Sequence, residues 1–127
     1  MMADKKLKIL IVDDNVQMRT LLRITLTRQT DYQLFEADNG IDGLRIVKEA
    51  LPDIVIADVM MPGEMNGVDL CRHIKESEYK SCYVVLLSGK GRQSDIDMGM
   101  QAGADMYRVK PFSPIELLEI VKAFQEK

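Results

Sequence analysis

The sequence predicts an α/β fold built on a five-stranded parallel sheet, in strand order 2-1-3-4-5, and three observations carry that expectation. Short runs of β-type apolar residues alternate strictly with longer stretches of helical period, five times over. The third of those runs, Ile54-Val55-Ile56-Ala57, is continuously apolar, as a strand covered on both faces should be. No linker, repeat or low-complexity tract breaks the alternation, so residues 1–127 read as a single domain. Strict alternation of this kind implies right-handed crossovers with helices on both faces of the sheet. The arrangement is flavodoxin-like, a (βα)5 three-layer sandwich.

Each element has its own signal. Leu7-Lys8-Ile9-Leu10-Ile11-Val12 is the first strand, and residues 16–28 follow as an amphipathic helix with Met18, Leu21, Leu22, Thr25 and Leu26 on one face. Residues 32–36 form a weaker second strand, interrupted by Gln33 and Glu36. Asn39-Gly40 signals a turn or cap before a helix on which Ile41, Leu44 and Val47 share a face, and Pro52-Asp53 ends it. After the third strand, a Pro/Gly loop over residues 61–67 leads into a helix with Leu70, Cys71 and Ile74 inward. Tyr83-Val84-Val85-Leu86-Leu87 is the fourth strand. The next helix, residues 94–102, has a poor apolar face, with Ile96, Met98 and Met100 as its candidate anchors. Residues 105–109 are a short fifth strand. Ser113, with Glu116 three residues on and Pro114 in the first turn, starts a last helix that buries Leu117, Leu118, Val121 and Phe124.

Composition narrows the function classes. At 127 residues, 46% hydrophobic and 29% charged, the chain can bury one sizeable core without disulfides or a structural metal. The net charge of -3 and scattered Lys and Arg argue against direct nucleic-acid binding, which calls for a basic stripe. Cys71 and Cys82 have neither CxxC spacing nor a His/Cys cluster nearby, and read as small buried hydrophobes in a reducing compartment. There is no signal-peptide pattern and no apolar run near the roughly 20 residues that span a bilayer, so a cytoplasmic protein without membrane attachment is expected. His73 reads as a mid-helix surface residue, and most of the nine methionines as core or loop filler.

In a sheet of this type, ligands bind outside the carboxyl ends of the strands. Strand one runs into Asp13-Asp14, strand three into Asp58, strand four into Ser88 and strand five into Lys110. Singly, each has a plain structural account: Asp13 and Asp14 as helix-capping acids, Asp58 as a turn former, Ser88 as a loop serine, Lys110 as a solvated charge. Together they bring five polar groups to one edge. Three carboxylates held close repel, and a hard divalent cation relieves the repulsion. Mg²⁺ (or Mn²⁺) suits a site of few carboxylates that receives a phosphoryl group. A carboxylate can also act as nucleophile and become an aspartyl phosphate, with the metal, the Lys110 ammonium and the Ser88 hydroxyl holding the phosphoryl oxygens.

The runs Ile9-Leu10-Ile11-Val12-Asp13-Asp14, Ile56-Ala57-Asp58-Val59-Met60-Met61-Pro62, Leu86-Leu87-Ser88, Gly103-Ala104-Asp105 and Lys110-Pro111-Phe112 resemble, in this order and spacing, the receiver domain of two-component response regulators (CheY-like). The resemblance covers essentially the whole chain. It implies a phosphorylation-dependent signalling switch with Asp58 as phosphoacceptor and a phosphohistidine on a sensor histidine kinase or phosphotransfer protein as donor. Asp14 would ligate Mg²⁺ directly, Asp13 through water, with Asp58 and the backbone carbonyl of Met60 completing the set. Lys110 would hold the phosphoryl group, Lys110-Pro111 would be a cis peptide, and Ser88 with Tyr107 would form the switch pair; without the resemblance Tyr107 is a plain strand aromatic. The output face would be the fourth helix, fifth strand and fifth helix, meeting a downstream effector domain or protein, and a phosphorylation-dependent homodimer is compatible with it. Such a chain is no enzyme beyond its own phosphorylation and dephosphorylation.

Some features depart from the family pattern. The 61–67 loop is one residue longer than the commonest form, Asn66 stands where Asp is frequent, and Gly89 follows Ser88 where alanine is usual. Glycine there permits a looser switching loop. Two rivals share parts of the pattern. A flavodoxin-like electron carrier needs a glycine- and hydroxyl-rich phosphate loop where this chain has Asp-Asp, and an aspartate-nucleophile phosphatase needs a cap for which no insertion is long enough. A phosphorylation-independent module of the same shape is disfavoured by the intact set of five residues. The end at Lys127 fits a stand-alone regulator and equally a receiver within a longer protein.

Overall fold

The computed structural model describes residues 6–28 and 31–126; the charged opening of the chain and Lys127 lie outside them. Strands and helices alternate as β1 (Lys8–Val12), α1 (Val16–Thr27), β2 (Gln33–Ala37), α2 (Gly40–Ala50), β3 (Ile54–Asp58), α3 (Gly67–Lys75), β4 (Tyr83–Ser88), α4 (Gln93–Gln101), β5 (Met106–Val109) and α5 (Pro114–Gln125). The sheet runs β2-β1-β3-β4-β5 with all neighbours parallel, the order expected from the alternation.

Because side chains of a strand point alternately to opposite faces, the apolar runs feed two separate cores. Leu10, Val12, Val55, Ala57, Val84 and Leu86 pack toward α2, α3 and α4. Ile9, Ile11, Ile54, Ile56, Val85 and Leu87 pack on the other face, against Leu22 and Leu26 of α1 and Leu117, Leu118 and Val121 of α5. Every residue of β3 is buried, which is why its sequence shows no polar alternation.

The helix starts follow capping chemistry. Asn15, Asn39, Asn66 and Ser113 each accept a hydrogen bond from a backbone N–H of the first turn. Ser113 and Glu116 form the expected capping box, with Pro114 at the start of α5. Asn66 forms a second one with Asp69, so the residue that departs from the family pattern starts α3. Arg92, ahead of α4, makes no side-chain cap.

Four side chains depart from the expected inward faces. Leu21 and Ile41 are exposed; Ile41 at 52% gives way to Gly43, which is buried on the same helix. A helix lying on a sheet buries a stripe narrower than its whole apolar arc, so residues at the arc's edge stay wet. Met98 and Met100 are exposed as well, at 55% and 44%, leaving Gly99 as the buried residue of α4. By contrast α3 buries Gly67, Leu70, Cys71 and Ile74. At its end the Lys75 ammonium donates to the carbonyls of Lys80 and Cys82 and to Asp105 Oδ2. Burial pushes the Cys71 thiol up to about 11 and the Cys82 thiol up to about 12, and both cysteines are free. His73 is exposed on α3. Among the described residues no helix is long and apolar enough to cross a membrane.

Candidate functional site

The carboxyl ends of the strands converge as the fold requires. Asp13 follows β1 directly and is 2% exposed; Asp58 is the last residue of β3 and 6% exposed; Ser88 ends β4 and is fully buried. Asp14 is exposed beside them. Carboxylate oxygens of Asp13, Asp14 and Asp58 lie within 4.8 Å of one another.

Asp58 is held from both sides. Its Oδ1 accepts the Met60 N–H at 3.0 Å, and its Oδ2 accepts from Lys110 Nζ, also at 3.0 Å. The backbone behind it is fixed by Val59 N–H to the Leu87 carbonyl (2.8 Å) and Gly67 N–H to the Val59 carbonyl (3.1 Å). Gly67 lies so close to the Asp58 carbonyl that a side chain there would displace the strand end. Lys110 is set by its own N–H, which donates to the Ser88 carbonyl at 2.7 Å, and its bond to Pro111 is cis.

The acid cluster carries an electrostatic cost. Burial raises the Asp13 pKa above the ordinary carboxylate value, opposed by the hydrogen bond from Asn15 N–H; the Asp58 and Asp14 charges add to the rise, and Lys110 offsets part of it. Three clustered carboxylates, two of them nearly buried, are a donor set that fits a hard divalent cation, which takes oxygen ligands.

The other two expected residues meet each other through a third. Ser88 Oγ accepts the Lys90 N–H at 2.9 Å, and the Tyr107 hydroxyl donates to the Lys90 carbonyl at 2.9 Å. The two groups thus hang on one residue's peptide groups. The Tyr107 ring occupies the space over Gly99, where a Cβ would come within 2.7 Å of Cδ2. Met60 reaches Asp58 through its N–H, and its side chain is exposed at the rim. Sequence reasoning missed two participants: the peptide groups of Lys90, which no side-chain pattern reports, and Arg19, whose guanidinium donates to the Asp13 carbonyl from the end of the first turn of α1.

Residues 9–122 match the family model of the response regulator receiver domain. The chain belongs to that family. Among curated proteins it is 42% identical over 116 residues to the transcriptional regulatory protein ResD of Bacillus subtilis, covering 91% of this chain and 47% of that protein. It is 37% identical to the DNA-binding response regulator MtrA of Mycobacterium tuberculosis, covering 91% and 49%. The receiver thus spans about half the length of the curated relatives it matches. Among solved structures, the BeF3-activated DrrB receiver domain superposes with a TM-score of 0.85 at 32% identity, covering 97% of this chain and all of that one. The chemotaxis protein CheY4 of Vibrio cholerae gives 0.85 at 29% identity, covering 94% and 98%. A receiver domain is a phosphorylation-dependent signalling switch of two-component systems, and this membership sets aside the electron-carrier and phosphatase readings.

Proposed function

We propose that Asp58 is the phosphoacceptor and that residues 1–127 act as one receiver unit. The observation that carries this is the seating of Asp58: a nearly buried carboxylate at the end of a central strand, beside two further acids and an ammonium. An Asp58 carboxylate oxygen attacks the phosphorus of a phosphohistidine on a sensor histidine kinase or phosphotransfer protein. The new P–O bond forms as the P–N bond breaks, and the imidazole leaves with its electron pair. Asp13, Asp14, Asp58 and the Met60 carbonyl would hold Mg²⁺ or Mn²⁺, which supplies neutralising charge for the acids and the phosphoryl oxygens. Lys110 Nζ, already 3.0 Å from Asp58, holds the transferred group from the opposite side. The work is positioning and charge stabilisation, confined to the chain's own modification, so the protein is no enzyme in the usual sense.

Ser88 and Tyr107 are the switch pair. When the Ser88 hydroxyl turns to the phosphoryl group it gives up the Lys90 N–H, and the loop that also binds Tyr107 is released to shift. The element biased is α4 with β5 and α5, the face offered to a downstream effector domain or protein or to a second phosphorylated copy. Nucleic acid is met by that effector and not by this chain, whose net charge is -3. The setting is the cytoplasm, where kinases of this type release their phosphoryl groups.

Acetyl phosphate with Mg²⁺ should give an acid-stable, base-labile phosphate on the parent and none on Asp58→Asn. Equal labelling of the two removes the assignment.

A further inference from the structure

We infer that Arg19 is a positioning residue that holds the Asp13-Asp14 loop in a cation-ready shape before any cation arrives. The inference rests on the phosphoacceptor reading and adds a residue that neither touches the acids' carboxylates nor stands at a strand end.

The loop between β1 and α1 has a problem of its own making. It carries two of three carboxylates whose oxygens lie within 4.8 Å of one another, with Asp13 only 2% exposed, so like charges push the loop outward whenever no cation compensates them. Something must oppose that motion. On the strand side, Asp13 N–H is tied to the Ala37 carbonyl of β2 at 3.0 Å. On the helix side, Asp13 Oδ1 accepts from Asn15 N–H, and Asn15 caps α1. Both ties lie within the loop or at its strand end, and neither takes up the Asp13 carbonyl.

Arg19 takes it up. One guanidinium nitrogen donates to the Asp13 carbonyl, while Nε lies 3.3 Å from Glu36 Oε1 on β2. The planar fork therefore spans from the loop to the neighbouring strand, a geometry that Lys cannot copy with a single point charge. The Arg19 side chain is only 17% exposed, so it is held by packing as well as by charge. Arg23 supplies the contrast. It binds the same Glu36 through its other oxygen at 2.6 Å but has no bond to the loop, and it is far more exposed. Two cations thus share one carboxylate, and only one of them reaches the acid cluster's backbone.

The test is divalent-cation affinity of the unphosphorylated protein, read by the electron paramagnetic resonance of free Mn²⁺, with melting temperature measured alongside. Arg19→Ala should weaken Mn²⁺ binding by about tenfold, the low end of what loss of an outer partner costs a metal site. Arg19→Lys should recover only part of the loss, and Arg23→Ala should stay within about twofold of the parent by the same scale. Acetyl phosphate labelling of Arg19→Ala at saturating Mg²⁺ should return to the parental rate, because the defect lies in cation capture. Unchanged Mn²⁺ affinity in Arg19→Ala, or an equal loss in Arg23→Ala, overturns the inference. If the parent itself neither binds Mn²⁺ nor labels, the phosphoacceptor reading falls instead, so the two failures are distinct.

Discussion

Helices α3 and α4 are both nine residues long and follow neighbouring strands of the same sheet, yet they are fastened in opposite ways. A capping box starts α3, Leu70, Cys71, Ile74 and a glycine bury one face of it, and Lys75 ties its end to three acceptors. No side-chain cap starts α4, and its buried residue is a glycine, with two methionines turned to solvent. Few buried apolar contacts mean a low cost of local rearrangement. The difference teaches where a switch can live in a rigid sheet. The helix that follows Asp58 is pinned, and the helix next to Ser88 and Tyr107 is left cheap to move.

The largest effect that can break this comparison is on stability. Ile74→Ala in α3 should cost about 2–5 kcal/mol in urea denaturation, the usual range for emptying a packed core position. Met98→Ala in α4 should stay within about 0.5 kcal/mol, as for other surface changes. Comparable losses would mean that α4 is anchored after all.

A smaller effect sharpens the same contrast kinetically. Cys71 sits in the buried face of α3 with its thiol pushed up to about 11, so alkylation by iodoacetamide near neutral pH should wait for unfolding. In a Cys71→Ala background, a cysteine introduced by Met98→Cys should react like a free thiol. Slow labelling at position 98 would point to a covered α4.

The smallest effect concerns the acids at the ends of β1 and β3, where charge and not packing decides. The folded Asp13 holds its proton more tightly than the unfolded chain does. Its stabilising contribution is therefore complete below the ordinary carboxylate pKa and is lost as pH rises through the elevated folded value, a window opening at about pH 4. In the presence of a chelator, Asp13→Asn should flatten that decline and be the more stable protein at neutral pH. The amide oxygen can keep the bond from Asn15 N–H. A less stable variant at neutral pH would contradict the repulsion account.

Much of this was legible in the sequence, for physical reasons. The parallel sheet followed from strict alternation and its order from the flavodoxin-like arrangement, and β3 announced itself because a strand buried on both faces has no polar side to show. The α5 start could be read because Ser113, Pro114 and Glu116 each do one local job. The same reasoning underrated Asn66, which looks like a departure along the chain and is a cap in space. Leu21 and Ile41 misled because periodicity gives the direction of a face and not the width of its contact. Arg19 and the Lys90 peptide groups were invisible, since a long side chain's reach and a backbone group's partner are settled only by tertiary packing.

The bond between Asp58 and Lys110 joins residues 52 positions apart, and β5, which Lys110 directly follows, is the last of this sheet's five strands to be made. Chains emerge from the ribosome N-terminus first. On the roles proposed above, a chain caught partway through synthesis has its acceptor and its acids but lacks the ammonium that steadies them. Competence to receive a signal then waits for the fifth strand, and a receiver cut short of it stays silent.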